Sequence, residues 1–408
     1  MPNISKRALQ MPASPIRKLA PLALQAKARG IKVYHLNIGQ PDVASPPNAL
    51  HALHSFQRTV LEYSPSQGLL SYRQKLAGYY EKYHISLSPD DIIVTTGGSE
   101  AVLFAFLSCL NPGDEIIIPE PFYANYMALA VSAGVHLLPL STTIETGFAL
   151  PPVEQFEKLI TPSTRALLIC NPNNPTGYLY TPDEMNQIRD LVKRHDLYLF
   201  SDEVYREFIY TDSPFISALH LDDIDDHVVV IDSVSKRYSE CGLRIGALVT
   251  RNASVRAAVM KLCQARLSPP LLGQIAAEAS MEADAPYLAA ARQEYEARRD
   301  SLVRGLNRIP GVYSPQPMGA FYTVAHLPVD DAERFCAWCL TDFSYQGQTV
   351  MLAPAAGFYA TPNAGRQQVR IAYVLCRHDL EQALCVLARA LQAYPGRQTG
   401  KSLNESSH

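Results

Sequence analysis

Through the middle of the chain, short β-rich runs alternate with longer stretches whose apolar residues recur every three or four positions. The short runs are Ile92–Val94, Glu115–Ile118, His136–Leu140, Arg165–Cys170, Leu197–Phe200, His227–Ile231 and Gly246–Thr250, and they predict strands. Between them Glu100–Leu110, Tyr123–Ala133, Pro182–Arg194 and Ala253–Arg266 predict helices. Continuously apolar strands joined by helical crossovers imply an α/β fold, a mostly parallel central sheet with helices on both faces.

The pattern changes after a long helical stretch, Ala285–Asn307. Short strands are predicted at Phe321–Ala325, Val350–Leu352 and Val369–Tyr373, with helices at Asp331–Phe343 and His378–Ala393, which together make a smaller α+β unit. The N-terminal arm, helical over Ser14–Arg29 and extended over Val33–Leu36, is expected to join that unit. The predicted division is therefore a large domain over 46–300 and a discontinuous small domain of 1–45 with 301–394. Residues 395–408 are polar and predict a disordered tail.

Composition narrows the class. The chain has 408 residues, 47% hydrophobic and 18% charged, with a net charge of −3, which describes a soluble globular protein and gives no basic surface for nucleic acid. The N-terminal residues lack a secretory pattern and no apolar run approaches a membrane span, so the cytoplasm is the expected location. Cys336 and Cys339 match C-x-x-C, but they sit on the apolar face of a predicted helix with no second pair, so packing is expected there and no metal site.

Lys236 follows the strand His227–Ile231, between Ser233, Ser235 and Arg237, with Arg244 close behind. Ligands of open α/β sheets sit at the carboxyl ends of strands. A lysine amine there can form an imine with an aldehyde, while hydroxyls and a guanidinium hold a phosphate; pyridoxal phosphate carries both groups. A solvated surface lysine is the plain alternative. Three more segments follow strands: Thr95-Thr96-Gly97-Gly98-Ser99-Glu100, which opens a helix able to face an anion; Asn171-Pro172-Asn173-Asn174-Pro175-Thr176-Gly177; and Ser201-Asp202-Glu203-Val204-Tyr205. Their plain alternatives are a cap by Ser99, a connecting turn and a cap by Asp202. Arg370 lies inside the apolar strand Val369–Tyr373, where a guanidinium needs an anion, from an internal salt bridge or from a substrate carboxylate.

In this combination and order the chain resembles the class I/II aminotransferases, PLP-dependent enzymes of fold type I, and most closely their bacterial aspartate aminotransferase branch. Gly39-Gln40-Pro41-Asp42 and Met318-Gly319-Ala320-Phe321-Tyr322 add to the likeness, which runs from about Leu36 to Ala393. The resemblance implies that Lys236 forms the imine with pyridoxal 5'-phosphate and moves the proton at the substrate's α-carbon. It implies that Asp202 pairs with the pyridine nitrogen, that Asn174 and Tyr205 bond the phenolic oxygen, and that Tyr123 stacks on the ring. Ser233, Ser235, Arg244 and the amides of Ser99 and Glu100 would hold the phosphate. Tyr63 would reach the phosphate of a neighbouring subunit, which implies a homodimer with shared sites. Arg370 would clamp the substrate α-carboxylate with Asn174 and the Gly39 backbone. One departure is Gly242-Leu243-Arg244, where the family often has Gly-Trp-Arg; it keeps the arginine and touches local packing only.

The implied activity is amino transfer between an L-amino acid and a 2-oxo acid, with aspartate and 2-oxoglutarate as the expected pair. An aminotransferase for aromatic or other neutral amino acids, or a PLP-dependent lyase or synthase, would share the same motifs. A PLP-sensing transcription regulator is set aside, since the motifs begin at Gly39 and leave no room for a DNA-binding module. A dicarboxylic substrate needs a second cation, for which Arg17 and Arg266 are the candidates, each with an ordinary surface role as the alternative.

Overall fold

The structure is a computed structural model that describes residues 2–283 and 285–398. Its largest sheet runs in the order Ile92–Thr95, Gly246–Val249, Val228–Ser233, Tyr198–Asp202, Thr164–Cys170, Glu115–Glu120, His136–Ser141. Gly246–Val249 is antiparallel to both neighbours and every other pairing is parallel. All seven runs read as strands are strands, and the four helices read between them are present, with ends shifted by at most two residues.

The reason for continuous apolar strands is visible in the packing. Ile117, Leu167, Leu199 and Val230 enter the buried cluster on one face, while Ile116, Ala166, Leu168 and Val229 enter the cluster on the other. Successive residues point to opposite faces, so a sheet covered on both sides needs apolar residues at every position. Polarity returns where the strands stop. Thr95, Cys170, Asp202 and Ser233 end four parallel-running strands at one edge of the sheet, and the segments carrying Ser99, Asn174, Tyr205 and Lys236 leave from that edge.

A second core gathers the arm and the C-terminal part. Lys32–His35 pairs in parallel with Gln348–Met351, and Ala353–Pro354, Gln368–Ala372 and Tyr322–His326 form an antiparallel sheet. Ala23, Val33 and Leu36 of the arm are buried with Phe335, Val350 and Leu387. On this packing we propose the division into 46–300 and 1–45 with 301–394, joined along the helix Ala285–Leu306. The same core takes in Cys170, Tyr205 and Phe208, so the two parts share buried surface beside the cavity described below. Cys336 and Cys339 are fully buried within it.

The structure departs from the sequence reading in the arm. The helix expected over Ser14–Arg29 spans only Ala20–Ala28, with Pro21 in its first turn. Pro21 has no N–H and its ring would strike the carbonyl four residues back, so a helix cannot run through it from Ser14. The longer helices that the sequence pattern did not predict are Pro47–His54, Leu70–Glu81 and Leu271–Ser280. Within the expected tail, Gly396 and Gln398 are hydrogen-bonded to Asp330, Pro328 and Gln367, and residues 399–408 lie outside the described residues.

Candidate active site

A cavity of about 730 Å³ opens at the carboxyl edge of the large sheet, between it and the arm. Gly39, Ser99, Tyr123, Asn174, Asp202, Tyr205, Ser233, Ser235, Lys236, Arg244 and Arg370 all line it. Sequence positions from 39 to 370 are thereby brought to one place.

Arg370 sits on the strand Gln368–Ala372 at 1% exposure. One guanidinium nitrogen donates to Asn174 Oδ1 at 3.2 Å and another to the Asn37 carbonyl at 2.5 Å. Its Nε has no partner, and its flat faces lie 4.5 Å from the Tyr322 ring centre and 4.9 Å from that of Phe358. No carboxylate pairs with it among the described residues, so the internal salt bridge is not what holds it. Burial pulls its pKa below the usual guanidinium value.

Asp202 is the complementary case. Tyr126 donates its hydroxyl to Asp202 Oδ2 at 2.6 Å and the Val204 amide donates to Oδ1 at 3.3 Å. No helix follows Asp202, so its carboxylate closes a local turn and caps nothing. The nearby arginines are engaged elsewhere, Arg206 with Glu203 and Asp232, and Arg237 with Asp232. Burial without a cation pushes Asp202 up to about 6. The cavity thus holds a buried cation short of an anion and a buried carboxylate short of a cation.

Lys236 belongs to a single helical turn, Val234–Arg237, set by Ser233, whose hydroxyl accepts from the Ser235 amide. Lys236 Nζ donates to the Gly39 carbonyl at 2.9 Å and lies 3.7 Å from Cys241 Sγ. Gly39 also lets Tyr322 come close: a Cβ there would fall 1.8 Å from the Tyr322 hydroxyl oxygen. Tyr322 in turn lies 3.1 Å from the Tyr205 hydroxyl, which also accepts from Asn174 Nδ2 at 3.3 Å. Asn174 is held by its turn, where Asn173 Oδ1 accepts from both the amide and hydroxyl of Thr176. Tyr123 faces the cavity edge-on to Tyr126, its hydroxyl accepts from Asn125, and burial pushes it up to about 12.

The helix Gly98–Cys109 is capped by Gly97 at φ 75°, with no side chain bonded to its first amides. Ser99 is therefore inside the helix and does not cap it. The Arg244 guanidinium lies over Gly97 so closely that a Cβ there would meet it at 2.4 Å. Free amides, the Ser233 and Ser235 hydroxyls and Arg244 make a crevice suited to a phosphate.

Two expected residues stand apart. The Glu100 carboxylate turns to Arg266 at 2.5 Å and to the Thr96 amide at 2.7 Å, and Glu100 does not line the cavity. Tyr63 is 78% exposed on the surface, beside the exposed Val60 and Leu61. Tyr126, Tyr322 and Asn37, which touch Asp202, Tyr205 and Arg370, were not singled out as site residues by the sequence motifs. Tyr126 carries one signal, its place three residues after Tyr123, and in the structure their rings meet edge-on.

The sequence profile of the family "Aminotransferase class I and II" matches residues 31–387. A probable aspartate/prephenate aminotransferase of Thermus aquaticus is 30% identical over 403 residues, 96% of this chain and 100% of that protein. An aromatic-amino-acid aminotransferase 2 of Thermococcus litoralis is 30% identical over 397 residues, covering 95% and 98%. The crystal structure of an aspartate aminotransferase from Thermotoga maritima superposes with a TM-score of 0.87 at 30% identity, covering 96% of this chain and 100% of that one.

Proposed function

The chain belongs to the class I and II aminotransferases and is a pyridoxal-phosphate-dependent enzyme of that family, and from that premise we propose that it exchanges amino groups between aspartate and 2-oxoglutarate. The observation that carries the proposal is Arg370, a buried guanidinium in the cavity with no carboxylate partner among the described residues. The names of two relatives with aspartate in them support the dicarboxylic choice.

The cavity residues fit the cofactor. Asp202 lacks a cation and a protonated pyridine nitrogen is one; an opposite charge at contact favours the ionised carboxylate and reverses its upward shift. The crevice of Ser99, Ser233, Ser235 and Arg244 fits the phosphate, and the Asn174 and Tyr205 pair fits a phenolic oxygen. When bound, pyridoxal phosphate supplies an aldehyde for imine exchange and a ring that absorbs electrons from a carbon losing its proton.

The chain's own groups then divide the work. Arg370 and Asn174 bind the substrate α-carboxylate, a planar two-point contact that fixes the α-carbon. Lys236 leaves the Gly39 carbonyl and takes or returns the proton at that carbon. Tyr123 covers one side of the cavity, and Tyr126 holds Asp202 in place for the ring nitrogen. The exposure of the large apolar side chains Val60, Leu61, Tyr63 and Leu70 supports a homodimer in which Tyr63 reaches the partner's phosphate.

The test is kcat/KM for aspartate, tyrosine, alanine and leucine with 2-oxoglutarate as acceptor. Aspartate is expected to lead. Preference for leucine or alanine would overturn the dicarboxylic choice and leave amino transfer intact.

A further inference from the structure

Resting on that dicarboxylate reading, we infer that Arg17 reads the substrate's side-chain carboxylate and that Asn37 sets its position by tying the arm to Arg370. Among the described residues four cations line the cavity: Arg17, Lys236, Arg244 and Arg370. Arg370 is buried beside Asn174, where the α-carboxylate is assigned, Arg244 lies over Gly97 at the phosphate crevice, and Lys236 is the reacting amine. Arg17 is left over.

The other candidate cation is spent. Arg266 pairs with Glu100 at 2.5 Å and also donates to the carbonyls of Ser66 and Val94. Arg17 differs even from its neighbour: Lys18 pairs with Glu333 at 2.6 Å, whereas Arg17 has no carboxylate within ion-pair distance among the described residues. A dianionic substrate entering this cavity loses water from both carboxylates, and only one of them finds Arg370.

The backbone that carries Arg17 is fixed against the cavity wall. Pro15 packs on Gly357 so tightly that a Cβ there would meet the proline ring at 2.5 Å, and Ile16 packs on Ala124, Ala353 and Phe358. The Ile16 carbonyl accepts from Asn37 Nδ2 at 2.8 Å, and the Asn37 carbonyl accepts from Arg370 at 2.5 Å. Asn37 is 1% exposed, and its Oδ1 has no partner, so this amide is committed to the arm through a single bond. One residue therefore joins the α-carboxylate clamp to the backbone next to Arg17. Because Arg17 is exposed at the cavity mouth, its attraction should weaken with salt more than that of buried Arg370.

The experiment is calorimetric binding of succinate and of butyrate to the cofactor-loaded enzyme, which involves no turnover. Wild type is expected to favour succinate. Arg17→Gln should lower the succinate-to-butyrate affinity ratio by at least about tenfold, Arg17→Lys should restore part of it, and raised salt should shrink the wild-type ratio. Asn37→Ala keeps the backbone carbonyl, and should lower the ratio to a value between wild type and Arg17→Gln. A wild-type preference that survives Arg17→Gln would overturn the role of Arg17 and leave the dicarboxylate reading standing. Equal affinities in wild type would refute the dicarboxylate reading itself, and the role of Arg17 with it.

Discussion

Lys236 donates from Nζ to the carbonyl of Gly39 at 2.9 Å, two residues beyond the Asn37 carbonyl that accepts from Arg370. The reactive amine and the carboxylate clamp are thus both held by the backbone of one short arm segment, which belongs to the smaller core.

Lys236→Ala should abolish turnover and remove the visible absorbance of the bound cofactor. Among the described residues no other lysine lines the cavity. Near-normal amino transfer by this variant, followed spectrophotometrically, would show that the site is wrongly assigned.

Asp202→Asn should slow removal of the α-proton by at least about a hundredfold, since a neutral amide does not stabilise a protonated ring nitrogen. In the cofactor-free protein the sign of the stability effect reverses. Burial raises Asp202 from 3.8 to about 6, so folding favours its protonated form. Stability is then lost as pH rises from about 4 to about 6, by about 3 kcal/mol, and the loss persists above that range. Asp202→Asn should therefore raise the Tm of the cofactor-free protein at about pH 8 and leave it unchanged at about pH 4. Equal Tm differences at both values would remove the buried-charge argument.

Tyr126→Phe deletes the 2.6 Å hydrogen bond that opposes the rise at Asp202. Hydrogen bonds to charged groups contribute about 1.5–3 kcal/mol, so the acidic limb of the pH–rate profile should move to higher pH. An unmoved limb with lowered stability would make Tyr126 a packing residue alone.

Arg370→Lys should weaken amino-acid binding by roughly 10–100-fold while cofactor content stays at wild-type level, because an ammonium cannot make the planar two-point contact. Parallel loss of cofactor and substrate would point to a structural role for the guanidinium.

What the sequence revealed and what it hid have a common physical basis. Lys236, Asp202 and Asn174 follow directly after apolar strands, so a one-dimensional pattern places them at a sheet edge before any contact is known. Arg370 was legible because a charge inside an apolar strand demands an explanation. Tyr126 meets Asp202 across 76 positions and Asn37 meets Arg370 across 333, and no local pattern encodes such pairings. The contrast between Arg17 and Arg266 was equally invisible, since it depends on which of them finds a carboxylate in the fold. In the arm only Ala20–Ala28 of the expected Ser14–Arg29 is helical, because Pro21 is tolerated in a first turn and not inside a longer helix.

The central claim, amino transfer with a dicarboxylic donor, is tested most directly by mixing the cofactor-loaded enzyme with one amino acid and no oxo acid, and following the cofactor spectrum through a single turnover. The account predicts that the reaction stops after one equivalent, leaving the aminated cofactor, and that aspartate reaches that point faster than alanine, leucine or tyrosine. Continued turnover without an acceptor, with an eliminated or rearranged product accumulating, would contradict it.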